Sequence, residues 1–130
     1  MDKQKSGSDI VRAFLIAMEQ RDLKLASSYL ADGFSMTFPG GAKFHKLEEL
    51  VSWAGDRYQT VGKTYERFDE CAVGDELIVY CYGYLHGIWL DGNSFEGIRF
   101  IDRFTIRGGL IFDQLVWNDL AETRALMDKR

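Results

Sequence analysis

Residues 94–119 read SFEGIRFIDRFTIRGGLIFDQLVWND, and this stretch decides the fold. Large apolar side chains alternate with polar ones over residues 94–107, which is the period of a half-buried β-strand. The pair Gly108-Gly109 follows, and glycine accepts the positive φ that a tight reversal needs. Residues 110–119 alternate again, so the stretch is predicted to be an antiparallel hairpin of two long strands.

One face of the first of these strands carries a carboxylate among large apolar side chains. The residues on that face are Ile98, Phe100, Asp102, Phe104 and Ile106. Because the other face carries three arginines, the apolar face is predicted to be the buried one. Burial disfavours a charged carboxylate and raises its pKa, which makes Asp102 a candidate general acid or base. The alternative is that Asp102 lies near a sheet edge or only satisfies a buried polar group.

Possible polar partners for Asp102 come from two places. In the last strand, Gln114 and Asn118 lie on one face and Asp119 on the other, and the pattern does not decide which face points inward. Asn118 and Asp119 are therefore open candidates, each with surface polarity as the alternative. His45 lies in a loop before a helix, from which a side chain can reach the mouth of a cavity, although a solvated loop is the alternative.

Two further strands are predicted upstream, at residues 64–72 and 76–89. Glycines inside the long strands indicate bulges or bends that curl the sheet and give it a concave face; they are Gly83, Gly87 and Gly97. In the strand at 76–89, an aliphatic row is assigned to the core. The other row is assigned to the outer face and consists of Tyr80, Tyr82, Tyr84 and His86. Exposed rings commonly mark a partner surface, so homodimerisation through this face is a hypothesis.

Helices are predicted before and after this sheet. Apolar residues at 3.6-residue spacing predict helices over residues 9–21, 22–31 and 47–58, with a short strand at 34–38 between the second and the third. Residues 120–130 predict a short terminal helix. The order of elements is that of an α+β fold rather than of a β-α-β repeat.

Length and composition fit one domain that covers residues 1–130, of which 1–8 are expected to be a flexible tail. Hydrophobic residues make up 46% of the chain and aromatic residues 14%, enough for a core and for a pocket lined by rings. The net charge of −4 argues against a nucleic-acid surface, because phosphate binding depends on clustered Lys and Arg. No signal peptide and no membrane-length apolar run is recognisable, so a cytoplasmic protein without a membrane partner is expected.

No cofactor and no metal are expected. Cys71 and Cys81 do not have CxxC spacing, and His45 and His86 lie far apart in the sequence. The motifs of nucleotide-binding loops, serine hydrolases and zinc proteases are missing from the sequence.

Candidates for the wall of a substrate pocket are large apolar side chains on the helices and strands. They are Phe14, Met18, Phe34, Trp53, Tyr58, Phe100, Phe104 and Trp117. Stripes of aromatic residues and methionine form cores more often than ligand contacts, so a filled interior is the alternative.

Three phrases in this order resemble the NTF2-like superfamily and, within it, the SnoaL-like group. They are DLKLASSYLADGFSMTFPGG at residues 22–41, HKLEELVSWAGDRY at 45–58 and IRFIDRFTIRGGLIFDQLVWND at 98–119. The resemblance implies a cone, a cystatin-like α+β roll, in which N-terminal helices pack on a strongly curved, mostly antiparallel sheet and enclose a cavity.

The resemblance also implies a position for chemistry. The group includes ketosteroid-isomerase-like enzymes, polyketide cyclases, limonene-epoxide-hydrolase-like enzymes and proteins without known catalysis. In the enzymes a cavity aspartate on the penultimate strand often acts as acid, base or hydrogen-bond donor, and Asp102 matches that position. The epoxide-hydrolase arrangement needs an arginine two residues earlier on the same face, where this chain has Phe100; Arg99 points the other way. Epoxide opening is therefore not expected.

Two functional hypotheses follow. The first is a cofactor-independent enzyme of the isomerase, cyclase or dehydratase type, in which Asp102 moves a proton on a small apolar or carbonyl-containing molecule. The second is a non-catalytic ligand-binding module, or a dimeric interaction module, of the same fold. A fold alone does not decide between them.

Overall fold

Four helices and six strands make up the part of the chain that the computed structural model describes, residues 6–128. In chain order they are α1 (Gly7–Glu19), α2 (Leu23–Ser27), β1 (Leu30–Thr37), a 3-10 turn (Pro39–Gly41), β2 (Lys43–Phe44), α3 (Leu47–Gly55), β3 (Tyr58–Val73), β4 (Glu76–Trp89), β5 (Ser94–Arg107), β6 (Leu110–Asn118) and α4 (Leu120–Asp128). Over residues 6–128, none of the helices has the length and apolar character that crossing a membrane requires.

The strands form one curved, open sheet in the order β2-β1-β6-β5-β4-β3. Strands β3 to β6 are an antiparallel meander, as the alternation and the turns predict. Strand β1 instead pairs parallel to β6, with Ser35 opposite Asp113, so the sheet is mixed. Strand β5 lies between β4 and β6, which places Asp102 in the interior of the sheet and away from both edges.

The core lies between helix α1 and the concave face of the sheet. The face of β5 that was predicted to be buried is buried at all of its five positions, Ile98, Phe100, Asp102, Phe104 and Ile106. Phe14 of α1 packs edge-on against Phe104, with 6.2 Å between the ring centroids. The apolar stripe of α1 therefore covers the strand that carries Asp102.

Two of the predicted bends occur where strand β3 comes close to β4. A Cβ atom at Gly83 or Gly87 would collide with the backbone oxygen of Thr64 or Thr60 on the neighbouring strand. The pairing register shifts on both sides of β4 in this region. Glycine at these two positions lets the strands approach and bend, which gives the sheet its curvature.

Several predicted boundaries before β3 are wrong. Helix α2 ends at Ser27 rather than near residue 31, because Leu30 already pairs with Ile111 of strand β6. Helix α3 ends at Gly55, and Tyr58 lies opposite Trp89 as the first residue of β3. Long-range strand pairing overrides local helical spacing in both places.

Both chain ends also differ from the prediction. Of the expected tail, residues 1–5 lie outside the described residues, whereas Gly7 and Ser8 belong to α1. The Ser6 side chain accepts a hydrogen bond from the amide of Asp9, and this N-cap explains why the helix starts there. The terminal helix is present to residue 128, and residues 129–130 are outside the described part.

Candidate functional site

A cavity of about 130 Å³ lies between the helices and the concave face of the sheet. Five of the eight predicted wall residues line it: Phe14, Met18, Trp53, Tyr58 and Phe100. An apolar cavity of about 150 Å³ is known to hold a benzene molecule. This cavity therefore has room for about one six-membered ring.

The other three predicted wall residues do not line the cavity. Phe104 is completely buried in the core beneath Phe14. Phe34 is a half-buried residue of β1 that packs against the core. Trp117 is 51% exposed on the outer face of the sheet, because the inward row of β6 is the one with Gln114 and Val116.

Asp102 lies in the cavity wall and is completely buried, at 0% exposure. The ammonium of Lys63 donates a hydrogen bond of 2.6 Å to its Oδ2. Lys63 is on β3 and Asp102 on β5, so the lysine side chain crosses strand β4. On β4, Gly83 lies between Leu85, which pairs with Lys63, and Cys81, which pairs with Asp102. Lys63 Nζ also lies 5.1 Å from the centroid of the Phe100 ring.

The second oxygen of Asp102 has a different environment. Oδ1 is buried and has no hydrogen-bond partner within residues 6–128. Burying a carboxylate oxygen without a partner costs free energy, since it gives up its hydrogen bonds to water. A hydrogen-bond donor or an acidic hydrogen on a small molecule in the cavity would satisfy this oxygen.

The charge on Lys63 is stabilised by the same contact. Burial alone would lower the pKa of Lys63, but the negative charge of Asp102 and the hydrogen bond to it outweigh burial and raise that pKa above its ordinary value. The ammonium is therefore charged at neutral pH, and it lies at hydrogen-bond distance from the buried carboxyl group of Asp102. The site combines a cation with a buried carboxyl group. Over residues 6–128, no three His, Cys, Asp or Glu side chains are grouped as a metal ion would require.

None of the three predicted partners bonds to Asp102 within the described residues. His45 is exposed, with Nδ1 at 3.1 Å from the carbonyl oxygen of Phe34. Asp119 accepts a 2.6 Å bond from Arg99. Asn118 lines the cavity, but its side-chain oxygen accepts a hydrogen bond from the amide of Leu120, the first residue of helix α4. Lys63, which is the actual partner of Asp102, was not predicted from the sequence.

Cys81 lies opposite Asp102 on strand β4 and is completely buried. Burial, and next the negative charge of Asp102, raise the pKa of the Cys81 thiol to about 12. Burial likewise raises the pKa of Tyr65 to about 12. Both groups are therefore neutral at physiological pH.

We expect the stability of the fold to decrease in alkali, partly through Cys81. In the unfolded chain a thiol loses its proton near pH 8.5, whereas in the fold Cys81 keeps it to about pH 12. Its contribution to stability is thus complete below about pH 8.5 and is lost as the pH rises towards about 12, by at most about 1.4 kcal/mol per pH unit. Cys81→Ala should make the free energy of unfolding less dependent on pH over this range. Denaturant titrations at several alkaline pH values measure this, with exposed Cys71→Ala as control; equal slopes in both variants contradict it.

The chain matches no protein-family model, and no curated protein matches it in sequence. Solved structures do match it. An NTF2-like protein of unknown function from Burkholderia pseudomallei is 18% identical and superposes with a TM-score of 0.71, over 89% of this chain and 92% of that chain. This chain has the NTF2-like fold. The α+β cone predicted from the sequence is thereby confirmed.

Two other proteins with this NTF2-like fold have more informative descriptions. TerC, crystallised with polyporic acid, is 15% identical with a TM-score of 0.73, over 93% of this chain and 97% of its own. A proposed polyketide cyclase from Xanthomonas campestris is 17% identical with a TM-score of 0.65, over 91% of this chain and 93% of its own. Identities this low establish the fold and no activity.

Proposed function

We propose that this protein binds a small, largely apolar molecule and acts on it as a cofactor-independent acid–base enzyme of the isomerase, cyclase or dehydratase type. The observation that carries the proposal is the unpartnered Oδ1 of a completely buried Asp102 in the wall of an apolar cavity. A buried carboxylate oxygen without a hydrogen-bond partner destabilises the fold, and an unsatisfied buried polar group of this kind is a candidate for a functional role.

In the proposed reaction Asp102 Oδ1 removes a proton from the carbon next to a substrate carbonyl. The C–H bond breaks, an O–H bond forms on Asp102, and the electron pair moves to the carbonyl oxygen to give an enolate. Lys63 uses one N–H group on Oδ2, at 2.6 Å, and has two more. A cation held beside the developing negative charge in an apolar cavity stabilises the enolate.

The candidate reaction classes differ in what happens after the enolate has formed. If Asp102 returns the proton to a different carbon, the product is an isomer. If the enolate carbon attacks a second carbonyl of the same molecule, a new C–C bond closes a ring, and the resulting alkoxide takes the proton from Asp102 to become a hydroxyl group. If Asp102 then removes a second proton from the former enolate carbon, that hydroxyl group leaves the neighbouring carbon with this proton as water, and a C=C bond forms in the dehydrated product. All three need a base, an oxyanion stabiliser and exclusion of water, which the buried pair and the apolar wall would supply.

The solved structures support the class of ligand. TerC was crystallised with polyporic acid, and the Xanthomonas campestris protein is described as a proposed polyketide cyclase. Both descriptions concern small organic molecules. They agree with a cavity walled by Phe14, Trp53 and Phe100.

Two measurements test the proposal. Native mass spectrometry of the purified protein should reveal a co-purified molecule of low mass. The protein should also catalyse exchange of hydrogen for deuterium next to the carbonyl of small aryl ketones in D₂O, followed by NMR, since this exchange reports only proton removal and return. Binding without exchange for every ketone that binds would contradict the enzyme hypothesis.

The non-catalytic alternative is favoured by one feature of the site. Lys63 holds Oδ2 of Asp102 in an ion pair at 2.6 Å, and a purely structural role of the two side chains also accounts for that contact. On that hypothesis Asp102 only accepts a hydrogen bond from a ligand hydroxyl. The exchange experiment separates the two hypotheses, because a binding module shows saturable binding and no protein-dependent exchange.

We also propose that a second copy of the chain packs on the outer face of the sheet, where Tyr80, Tyr82, Tyr84 and His86 were assigned. Tyr82, Ile101 and Trp117 are neighbours across strands β4, β5 and β6. Trp117 is 51% exposed and Ile101 38%, and the adjacent Arg99–Asp119 pair presents both charge signs, which suits an interface that meets its own copy.

Trp117→Lys is expected to dissociate this homodimer, because an ammonium would replace a large ring in the centre of the face. Light scattering after gel filtration should give a mass near 30 kDa for the wild type, about twice the 14.9 kDa of one chain. The variant should have half that mass. The matched control is Leu126→Lys, which changes a 63% exposed residue of α4 in the same way. A monomeric wild type, or a dimeric Trp117→Lys, contradicts the interface.

A further inference from the structure

Two arginines of the cavity lining have no carboxylate partner among residues 6–128. Arg21 follows helix α1 and Arg57 precedes strand β3, and both belong to the cavity lining. Four arginines elsewhere form ion pairs, namely Arg67, Arg99, Arg107 and Arg124. Within residues 6–128 neither Arg21 nor Arg57 is in an ion pair, although the chain has 20 acidic residues for 16 basic ones.

The backbone at Arg21 is strained. It is the single non-glycine residue of the described part with a positive φ, at 58°. It occupies the position just after α1 where the amide of Asp22 bonds back to the carbonyl of Ala17 at 2.9 Å, a helix end that normally takes glycine. An arginine there costs about 1 kcal/mol relative to glycine. One N–H group donates to the carbonyl of Met18 at 2.7 Å, and four more remain available.

Arg57 is held by an aromatic ring instead of an acid. Its guanidinium carbon lies 4.4 Å from the centroid of the Trp53 ring. Stacking of this kind uses the flat face of the guanidinium and leaves the N–H groups at its edge able to bind an anion.

The positive charges of Arg21 and Arg57 both act on the hydroxyl group of Tyr58. Tyr58 also lines it, and burial raises the pKa of its hydroxyl, while the positive charges of Lys63, Arg21 and Arg57 lower it. Asp102 is already neutralised by Lys63 at 2.6 Å, so Glu19 is the remaining carboxylate among the cavity-lining residues. The cavity lining thus includes three cationic side chains, of which Arg21 and Arg57 are exposed, and two acidic ones, in a chain whose net charge is −4.

We propose that the ligand is a small organic acid, whose single ring fills the cavity, whose hydroxyl or enolisable group contacts Asp102, and whose carboxylate binds Arg21 and Arg57. This inference rests on the proposed function, for which it names the substrate class. The cavity volume limits the ligand to about one ring. The buried Asp102 requires a polar group at the inner end of the ligand, and the arginines without an ion pair favour a carboxylate at its other end. Guanidinium groups bind carboxylates through paired N–H···O bonds, which an uncharged amide does not reproduce.

The test uses synthetic probes in matched pairs. Each probe is a 4-hydroxyphenylalkanoate with one, two or three methylenes, compared with its primary amide and with the analogue that has no ring hydroxyl. Calorimetry gives the dissociation constants for the wild type, Arg21→Gln, Arg57→Gln and Arg21→Gly. The control is Arg107→Gln, which removes the same charge at the far end of β5, where Arg107 pairs with Glu76.

We expect the wild type to prefer at least one acid over its amide by about tenfold or more, and each pocket arginine variant to lose most of that preference. Arg107→Gln should keep it. Arg21→Gly separates binding from helix capping, because glycine suits the left-handed backbone and leaves the fold intact. Equal affinity for acid and amide at all three lengths would overturn the inference.

The hydroxyl comparison reports separately on the proposed function. A preference for the hydroxylated ring that Asp102→Asn removes supports the Asp102 site even if the carboxylate preference is missing. If the protein prefers the acid over its amide and the Arg21 and Arg57 variants lose this preference, the result supports carboxylate binding by the two arginines, even if the ring hydroxyl has no effect on affinity. If no probe binds at millimolar concentration, the inference of an organic-acid ligand is wrong, whereas the proposed function is decided by the exchange experiment with ketones.

Discussion

Asp102→Asn is expected to lower protein-catalysed deuterium exchange into a bound ketone by about 10²–10⁴-fold, which is the usual contribution of a positioned base. An amide has nearly the shape of a carboxylate but is a far weaker base, so Oδ1 would no longer accept the proton. The amide oxygen can still accept a hydrogen bond from Lys63, whose side chain is 22% exposed. The fold and ligand binding should therefore persist while exchange is lost.

Two further variants make this test specific. Asp102→Glu puts back a carboxylate on a chain longer by one methylene, so partial recovery of exchange shows that a base at this place is required. Thr105→Val removes another buried polar side chain from β5, outside the cavity lining, and should leave exchange unchanged. If Asp102→Asn exchanges as fast as the wild type, Asp102 is not the base.

The strands of the second half of the chain were predictable from local signals. Strands β4 and β5 have the predicted bounds, because period-2 alternation and Gly-containing turns both act over a few residues. The pairing of β1 with β6 was not predictable in this way. It joins residues near position 36 to residues near position 114, and alternation within a strand does not identify its neighbour in the sheet.

Half of the central ion pair was recognisable from the sequence. Asp102 was found because it interrupts an apolar row of large side chains. Lys63 interrupts a similar row, since it lies between Val61 and Tyr65, which also line the cavity. It was missed because the helical spacing up to Tyr58 and the stop at Gly62 moved the start of the strand to residue 64. A strand predicted to begin at residue 58 would have revealed the second charge.

The inward face of β6 was left open for a physical reason. A register shift lies between Ile111 and Asp113, so Ile111 and Gln114 are both buried although they are three residues apart. A bulge of this kind breaks the parity rule that assigns faces from alternation. Which of Asn118 and Asp119 lines the cavity could not be deduced before the bulge was placed.

Lys63→Met is expected to lower the free energy of unfolding by about 3–5 kcal/mol. Methionine fills a similar volume but removes the ammonium that bonds to Oδ2 at 2.6 Å. Both oxygens of a completely buried Asp102 would then be without a partner. Guanidinium unfolding with linear extrapolation measures the change. The matched control is Arg67→Met on the same strand, where the pair with Asp69 is largely exposed to solvent and is expected to contribute little to stability.

The double variant Lys63→Met/Asp102→Leu separates the charge from the packing. With both charges gone, no buried ion lacks a partner, so the double variant should regain most of the stability lost in Lys63→Met and can exceed the wild type by about 1–4 kcal/mol. A loss in Lys63→Met no larger than in Arg67→Met would mean that the two charges are not coupled through the interior. If the double variant is as stable as the wild type, the fold does not need the Lys63–Asp102 pair. A role of the pair in the chemistry of the cavity would then explain why the chain has it.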